Sequence, residues 1–561
     1  MFSNRKSRAT PLLALLLSVL CAGCISPRSF AKPKGEEPLQ TEDLSRYAVI
    51  PRPRVLQPAS AHFVWTGQTP IVAPTEPMAH GVAEYLASLV ATPTGFLPAI
   101  EDGTAPKPGA VTLRLDPSVP QDEGYRLNVD ANSIDIAAKT PRGLFYGVQT
   151  LRQLLPVALD SNAKVALPAW EVPAVHIEDF PRFSYRGMHL DVARHFFPPE
   201  FVKNYIDWMA RYKFNTFHWH LTDDQGWRIE IKQYPRLTEI GGFRRETLIG
   251  HSHDVPPKFD GTRYGGFYTQ EQIKDSVQFA ASRFVTIVPE IEMPGHSLAA
   301  LAAYPNLACT SGEFETATHW GVFEDILCPK EETFTFLQNV LTEVIALFPG
   351  PYVHIGGDEA PKARWKDSEF VQRLKAEQQL KDENEVQAYF VKRADEFLTS
   401  RGKRLVGWDE ILDGGLSPNA VVMSWRGFDG GSRAAKLGHP VIMTPGAFCY
   451  FDKYQAGPAD EPLAIGGILP VEKVYAFEPV PVDLPADQSN LVLGAQGSVW
   501  TEYMATPEQV EYMVFPRLLA LAEVVWSASE ARNYESFLTR LKPNAERLQR
   551  LGIRVAPHVL H

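Results

Sequence analysis

The feature that most constrains the fold of this 561-residue chain is a change in the pattern of hydrophobic residues after Pro181. From there on, short apolar runs alternate with longer amphipathic stretches, which is the pattern of parallel strands joined by crossover helices. Eight apolar runs can be counted, at residues 186–191, 216–221, 285–291, 352–356, 404–408, 420–425, 440–444 and 492–496. The clearest helical stretches lie at 199–212, 269–283, 331–348, 385–401 and 507–526. We therefore predict an α/β fold with a closed (β/α)8 TIM barrel over residues 181–545, followed by a C-terminal tail over 546–561.

A chain of this length exceeds one ordinary core, so a second folded unit is expected. Residues 44–178 alternate short apolar runs with Pro/Gly turns and hold two helix-like stretches, near 78–89 and at 143–155. This pattern predicts a smaller α+β domain ahead of the barrel. Because the domain does not cluster acids, histidines or aromatics, we interpret it as a scaffold or a substrate-edge domain.

The first 24 residues are typical of an export signal. Basic residues precede an apolar run at 12–20 that is far too short to span a bilayer. The run ends in a segment that resembles a bacterial lipobox, with small residues before Cys24, which would carry the lipid after cleavage. Cys21 stands where such signals usually have Leu, so cleavage of the ordinary soluble type is the alternative.

Residues 25–43, rich in Pro, Lys and Glu, are predicted to form a flexible linker. The mature chain is therefore expected to be exported and to sit on the cell envelope as a lipoprotein of the outer membrane or periplasm, or alternatively to be secreted. Its contact with a membrane would be through the lipid anchor alone. The net charge of −11, spread without basic runs, argues against a nucleic-acid partner.

Three cysteines remain after the signal and its anchor are set aside. In an oxidising compartment Cys309 and Cys328, with 18 residues between them, are the expected disulfide partners, and Cys449 would stay free. Three buried thiols are the alternative.

The chemistry is expected at the carboxyl ends of the barrel strands, because the loops there converge on one cavity. Every one of the eight ends carries carboxylates, basic groups or aromatic rings. In chain order they are Asp191 and Arg194; His218, His220, Asp223 and Asp224; Glu290, Glu292 and His296; Asp358 and Glu359; Trp408, Asp409 and Glu410; Trp425; Tyr450 and Asp452; Trp500 and Glu502. Cores disfavour unpaired charge, so this succession points to an active site.

Candidate catalytic residues are most concentrated at residues 353–360. There an apolar strand is followed by two glycines and then by Asp358 and Glu359. The glycines allow a tight turn and leave room for a ligand, so that both acids can enter one pocket. Crowded carboxyls push their pKa values apart, so one can act as an acid while the other stays ionised. An exposed acidic pair that caps the next helix is the alternative.

These residues resemble a known family. The stretch 354–359 (HIGGDE), with 187–196 (GMHLDVARHF), 218–227 (HWHLTDDQGW) and 292–296 (EMPGH), is similar to glycoside hydrolase family 20, the β-N-acetylhexosaminidases. The resemblance runs from residue 182 to 526, and the preceding α+β domain looks like the family's usual N-terminal partner. It implies an exo-acting retaining enzyme without a cofactor or metal, whose substrate is an oligosaccharide or glycoconjugate with a terminal β-linked N-acetylhexosamine.

The resemblance also implies roles for individual residues. Glu359 would be the general acid and base, and Asp358 would hold the acetamido nitrogen while the substrate's own carbonyl oxygen attacks the anomeric carbon, the substrate-assisted exception to the usual two-carboxylate scheme. The remaining assignments are Tyr450 on the acetamido oxygen; Trp408, Trp425 and Trp500 as walls; Arg194 and Glu502 on the ring hydroxyls, with Asp452 on the C6 side; and Asp191 and His296 behind them. His296 would act on Glu359 through intervening groups, with a direct catalytic part as the alternative. Asp223 and Asp224 would be loop braces, with substrate binding as the alternative.

Two rival functions are compatible with parts of this pattern. His218 and His220 alternate on one strand, so both rings could bind a metal in a metal-dependent barrel hydrolase. Later strand ends, however, offer indoles and acids where further histidine ligands would be needed. A non-catalytic glycan-binding protein on the same scaffold is the other rival, and the presence of both carboxyls argues against it.

Overall fold

The computed structural model describes residues 45–560, and the fold is given for that range. The predicted signal over 1–24, with its Cys24, and the linker over 25–43 lie outside the described residues. Within the described range, the helices are all too short or too polar to cross a bilayer.

The smaller domain is built on a seven-stranded mixed sheet. Its strands are β1 Val55–Trp65, β2 Ile71–Ala73, β3 Ile100–Asp102, β4 Val111–Leu115, β5 Tyr125–Val129, β6 Ile134–Ala138 and β7 Trp170–Asp179, in the spatial order β1-β7-β5-β6-β4-β2-β3. Two helices, Pro77–Thr94 and Pro141–Leu154, pack against it. Both begin at a proline and both have a capping side chain that accepts from the first turn, Glu76 and Thr140. The predicted α+β class is confirmed.

The larger domain is a closed barrel of eight parallel strands. These are β8 Tyr185–Asp191, β9 Thr216–His220, β16 Thr286–Glu290, β17 Tyr352–His354, β18 Arg404–Trp408, β19 Val421–Ser424, β20 Val441–Met443 and β21 Val492–Gly497. Strand β21 pairs with β8 and so closes the ring. All eight predicted strands are present, each within a few residues of its expected bounds. Since every pairing is parallel, the eight carboxyl ends share one rim.

Three short hairpins lie in the long loops between β9 and β16. They pair β10 Thr222–Asp223 with β11 Gly226–Trp227, β12 Phe243–Arg244 with β15 Tyr264–Gly265, and β13 Leu248–Ile249 with β14 Lys258–Phe259. They enlarge the rim on that side of the barrel.

Helices surround the barrel strands. They run over Pro199–Arg211, Arg236–Glu239, Gln270–Ser282, Leu298–Ala303, Glu331–Leu347, Ala363–Asp367, Glu369–Gln378, Glu383–Ser400, Asp429–Lys436, Gly446–Cys449, Val471–Tyr475, Pro507–Val514, Arg517–Trp526 and Tyr534–Arg550. The single helix predicted over 507–526 is therefore wrong. Pro516 divides it, because proline lacks the backbone N–H of a helix interior and holds Phe515 in an extended conformation.

The predicted start of a C-terminal tail at residue 546 is also contradicted, since it lies inside helix Tyr534–Arg550. This helix is amphipathic and joins the two domains. Arg547 bonds Asp160 at 2.9 Å, and Asn544 donates to the carbonyl of Ala48 at 2.8 Å. The helix was not predicted from the sequence because much of its surface is polar.

The smaller domain is attached to the amino-terminal ends of the barrel strands. Arg186, at the start of β8, makes two 2.9 Å bonds to Glu123. Lys213, just before β9, donates to Asp179 at 3.1 Å, and Trp526 donates to the same carboxylate at 2.9 Å. These contacts lie at the opposite end from the rim that carries the site, which favours the scaffold interpretation of this domain over the substrate-edge one.

Cys309 and Cys328 form a disulfide, and Cys449 is free and buried. The bridge steadies the loop that follows β16. Next to it Leu327 donates to the carbonyl of Pro294 at 2.9 Å, two residues before His296. The disulfide thus ties a loop of the rim to the backbone of the site.

Replacing Cys309 and Cys328 together by serine should lower the free energy of unfolding by roughly 3 kcal/mol, because the bridge removes loop entropy from the unfolded chain. Urea unfolding of the oxidised wild type and of the double variant measures the difference. Reduced wild type serves as the control and should match the variant. Peptide mapping that recovers both residues as free thiols from the native protein would contradict the assignment.

Candidate active site

Asp358 and Glu359 lie shortly after β17, which ends at His354, at the rim of the barrel. Gly356 and Gly357 turn the chain there with φ of 65° and 94°, values that favour glycine. A Cβ on Gly356 would lie 1.7 Å from Oε2 of Glu292, so a side chain cannot be accommodated. The turn brings the two adjacent acids to the same side, as the glycines predicted.

The two carboxyls differ in environment. The Asp358 side chain is 13% exposed, and its Oδ1 is buried without a hydrogen-bond partner among the described residues. The Glu359 side chain is 43% exposed. Burial, with the nearby negative charges, raises the pKa of Asp358 to about 6, whereas interaction with His296 lowers the pKa of Glu359. In the free protein the pair therefore holds its last proton on Asp358.

His296 contacts both acids directly. Its Nε2 lies 3.6 Å from Glu359 Oε2 and 3.8 Å from Asp358 Oδ2. On the other side its Nδ1 lies 3.1 Å from one oxygen each of Asp223 and Asp224. Burial opposes a charge on the ring, but the Asp223 carboxylate outweighs it, so the pKa of His296 is raised well above its usual range. Of the two alternatives for His296, these distances favour direct contact with the acidic pair, and the residue has a positive-φ backbone.

Asp223 and Asp224 both contact the imidazole of His296. Asp224 also accepts from the backbone of Leu298 at 2.9 Å. His296 and Glu359 have φ of 48° and 44°, a left-handed conformation that costs energy for residues other than glycine. Such strain concentrates at functional sites, and here it affects two facing residues.

Aromatic rings form one wall of the pocket. Trp425 and Tyr450 stack with centroids 6.0 Å apart and an interplanar angle of 13°. Trp500 lies 5.8 Å from Trp408 and 6.3 Å from Tyr450. The three predicted indoles and the tyrosine are thus brought together in one cluster. Flat apolar surfaces of this kind suit the faces of a pyranose ring.

Charged groups line the other end of the pocket. Arg194 bonds Asp223 at 2.9 Å and lies 3.3 Å from Asp191, and its guanidinium is 5.1 Å from the Trp500 ring. Asp191 also accepts from the backbone N–H of Thr501 at 3.1 Å.

Two further carboxyls are buried at this end. Asp452 Oδ1 and Glu502 Oε2 have no hydrogen-bond partner among the described residues. Burial, together with the charge of Glu502, raises the pKa of Asp452 to about 7. Buried polar atoms in proteins are nearly always paired, so unpaired oxygens in one pocket indicate a ligand rich in hydroxyl and amide donors.

His218 and His220 belong to a hydrogen-bonded network on the barrel axis. His220 bonds Asp223 at 3.0 Å through Nε2 and contacts Glu290 through Nδ1. His218 accepts from Gln496 at 3.0 Å through Nδ1, and its Nε2 lies 3.0 Å from Glu290. Both nitrogens of His220 and Nδ1 of His218 are thus engaged with protein groups, whereas Nε2 of His218 lies beside Glu290 without a hydrogen bond to the described residues. His218 with His189 and Glu290, and His220 with Glu290 and Glu292, are also close enough together to hold a metal ion.

The family model for the glycosyl hydrolase family 20 catalytic domain matches residues 183–529, and the model for domain 2 of the same family matches residues 46–180. The chain belongs to glycosyl hydrolase family 20. Its Beta-hexosaminidase relative in Porphyromonas gingivalis is 48% identical over 508 residues, which cover 90% of this chain and 64% of that protein. A Beta-N-acetylhexosaminidase of Cellulomonas fimi is 34% identical over 90% of this chain and 95% of its own length.

Solved family 20 structures share the fold over most of the chain. The N-acetyl-beta-hexosaminidase of Streptomyces plicatus in complex with Thio-NAglucal superposes with a TM-score of 0.78 and 36% identity, covering 91% of this chain and 96% of that one. The exo beta-N-acetylglucosaminidase of Vibrio harveyi in complex with N-acetylglucosamine gives 0.79 and 34%, with 91% and 78% covered. The family resemblance stated from the sequence is therefore confirmed.

Three residues of this family 20 site were given no role from the sequence. Glu410 accepts from the Trp425 indole at 3.0 Å, and burial raises its pKa to about 8. Glu292 packs on Gly356, and burial with the nearby Asp358 raises its pKa well above the usual range. Gln225 accepts from Arg194 at 2.9 Å. The first two were visible among the strand-end acids, whereas Gln225 carried no separate signal.

Asp358→Asn should stabilise the protein at pH 8. The pKa of Asp358 is about 6 in the folded chain against an ordinary value of 3.8, so the folded state holds this proton more tightly. Stability is lost as the pH rises through that window, and the loss amounts to about 3 kcal/mol above pH 6. The variant avoids the loss, so its advantage in urea unfolding should be present at pH 8 and absent below pH 4.

The neighbouring variant provides the control. Since the pKa of Glu359 is lowered, Glu359→Gln should not stabilise the protein at pH 8. Equal unfolding midpoints for wild type and Asp358→Asn at both pH values would contradict the assigned burial of Asp358.

Proposed function

We propose that this chain is an exo-acting, retaining β-N-acetylhexosaminidase. It hydrolyses terminal non-reducing GlcNAc or GalNAc from glycans by substrate-assisted catalysis through an oxazolinium intermediate. One observation carries the proposal: two adjacent carboxyls at the end of β17, one buried with a free oxygen and one half-exposed, share the cation of His296. The names of the family 20 relatives, Beta-hexosaminidase and Beta-N-acetylhexosaminidase, agree with it.

Glu359 acts as the general acid and then as the general base. Its carboxyl protonates the glycosidic oxygen while the bond from that oxygen to the anomeric carbon breaks. The resulting carboxylate then removes a proton from the water that opens the intermediate. The 43% exposure of this side chain supports a position where the aglycone leaves and water enters.

Asp358 acts on the acetamido group. Its unpaired Oδ1 accepts the acetamido N–H, which turns the carbonyl oxygen towards the anomeric carbon. As that oxygen attacks, positive charge develops on the acetamido nitrogen, and an ionised carboxylate beside it stabilises the transition state more than the bound sugar. Tyr450 donates to the attacking oxygen from the aromatic wall.

Substrate binding reverses the protonation of the pair. In the free protein the proton prefers Asp358, because that carboxyl is the more buried. An acetamido N–H donated to Asp358 stabilises its ionised form and lowers its pKa, while the aglycone covers Glu359 and raises the pKa there. The proton is then carried by the group that must donate it.

The rest of the pocket recognises one terminal sugar. Trp408, Trp425 and Trp500 cover its apolar faces and exclude water. Arg194, Asp452 and Glu502 bind its hydroxyls through charge-assisted hydrogen bonds, which are stronger than hydrogen bonds between neutral groups.

Turnover of a chromogenic β-N-acetylglucosaminide tests the proposal, with the matching β-glucoside as the control. The glucoside lacks the acetamido nucleophile and should be a very poor substrate, and a thiazoline mimic of the intermediate should inhibit strongly. A chelator should leave turnover unchanged. Binding of the sugar without turnover would favour the glycan-binding rival, and loss of turnover with a chelator would favour the metal-dependent one.

We further propose that the chain is exported as a cell-envelope lipoprotein anchored at Cys24. The support is the sequence alone: a basic start, a short apolar run and small residues before the cysteine. Cys24→Ser should abolish fatty-acid labelling and move the protein out of the membrane fraction. An unchanged mature size, labelling and fractionation in the variant would overturn the anchor and leave ordinary secretion.

A further inference from the structure

A short loop over residues 250–256, here the rim loop, lies at the tip of the hairpin of β13 and β14. Its hairpin is fixed to the barrel by the backbone N–H of Leu248, which donates to Thr318 at 2.9 Å. Asp254 accepts from the backbone of His251 at 2.8 Å, and Gly250 has a φ of 81°, which favours glycine. These two features shape the turn of the rim loop.

The rim loop holds the segment that carries Glu502. The ring of His251 stacks on that of Tyr503, with centroids 5.1 Å apart and an interplanar angle of 13°. The backbone N–H of Ser252 donates to the Tyr503 hydroxyl at 3.1 Å. Tyr503 directly follows Glu502, so the position of Tyr503 constrains the backbone of Glu502.

The same histidine reaches the segment that carries Asp452. The Nδ1 of His251 accepts from the backbone of His253 at 3.2 Å, so in this arrangement the proton is on Nε2. Nε2 donates to the carbonyl of Ile465 at 3.3 Å, and the N–H of Ile465 donates to the carbonyl of Asp452 at 3.3 Å. One side chain thus spans the two segments whose buried carboxyls lie in the pocket.

We infer that His251 is a positioning and specificity-determining residue, which fixes the separation of Glu502 and Asp452 by joining Tyr503 to Ile465 across the mouth of the pocket. The inference rests on the proposed function, in which these carboxyls take the hydroxyls of the terminal sugar. GlcNAc and GalNAc differ only in the configuration of the C4 hydroxyl. A change in the separation of two carboxyls that accept from neighbouring hydroxyls alters the discrimination between them.

The effect should fall on binding and selectivity rather than on the chemical step. Asp358, Glu359 and His296 are held by other elements, β17 and the loop after β16, and the described contacts of His251 do not reach them. Loss of the stack and of one hydrogen bond should raise KM about three- to tenfold. The kcat should stay within about twofold, because the reacting groups are unmoved.

Steady-state kinetics of three variants on chromogenic β-GlcNAc and β-GalNAc substrates tests this. His251→Ala should raise KM and move the ratio of kcat/KM for the two epimers towards one, by about threefold or more. His251→Gln keeps a donor near Ile465 and should recover part of both effects. Val255→Ala is the matched control, since this loop side chain is 93% exposed, and it should behave as wild type.

An unchanged KM and an unchanged epimer ratio in a folded His251→Ala, with wild type active, overturn the role of His251 alone. An equal change in Val255→Ala also overturns it, because the effect would then belong to the loop as a whole. Wild type that turns over neither epimer overturns the proposed function and this inference with it. Unfolding midpoints of all variants establish that the compared proteins are folded.

Discussion

Glu359→Gln should lower kcat on a natural β-linked disaccharide by about 10²- to 10⁴-fold, the range that a positioned general acid contributes. The KM should change little. Glutamine keeps the shape of the side chain and its place beside His296, but it cannot supply the proton that the leaving sugar oxygen needs. The loss is therefore expected in the chemical step, and single-turnover measurements alongside steady-state kinetics would locate it there.

The leaving group supplies the control for this experiment. A dinitrophenolate departs without protonation, so cleavage of its hexosaminide should be far less affected by Glu359→Gln than cleavage of the disaccharide. A larger loss of activity on the disaccharide than on the dinitrophenyl hexosaminide shows that Glu359 acts as an acid. An equal loss on both substrates would indicate general damage to the site. A variant with full activity on the disaccharide would show that another group donates the proton.

Most of the fold could be predicted from periodicity. Parallel barrel strands are buried on both sides, so they appear as apolar runs, and the amphipathic stretches between them appear as helices. The errors have local causes. Pro516 divides a stretch whose apolar periodicity continues through it, and helix Tyr534–Arg550 is polar over much of its surface.

The candidate site was predictable as far as it depends on strand ends. Every barrel strand delivers its next residues to one rim, so Asp358, Tyr450 and Trp500 could be grouped without knowing any distance. What remained open depends on backbone conformation. His296 lies close to Glu359 and has a left-handed backbone conformation. The spacing of residues in the sequence does not indicate such a conformation.

The long loops were the least predictable part. The rim loop is fixed by contacts with residues more than 200 positions away, such as His251 with Tyr503 and with Ile465. Local sequence gives little indication of these long-range contacts, since each partner is an ordinary polar or aromatic residue on the surface. The specificity of the site is therefore harder to predict from sequence than its chemistry.

Asp358→Asn should lower kcat by about 10²- to 10³-fold, as loss of a preorganised electrostatic group does, with a much smaller effect on sugar binding. The carboxylate is useful while it is ionised beside the positive charge of the acetamido group. The pH dependence follows from the proton that the free pair holds. Since that proton must reach Glu359, kcat/KM of wild type should fall as the pH rises above about 6, where Asp358 loses it. In the variant this alkaline limb should move to lower pH, because the proton is then held by Glu359 alone, whose pKa is lowered.

The stereochemistry of the product tests the nucleophile itself. With Asp358 and Glu359 assigned to the acetamido group and to proton transfer, the attacking atom is the carbonyl oxygen of the substrate. It inverts the anomeric carbon once, and water inverts it again from the opposite face, so a β-linked substrate should first release the β-anomer. Proton NMR during the first turnovers distinguishes the anomers before they equilibrate. An initial α-anomer would mean a single inversion by water, and the substrate-assisted mechanism proposed for Asp358 and Glu359 would have to be abandoned.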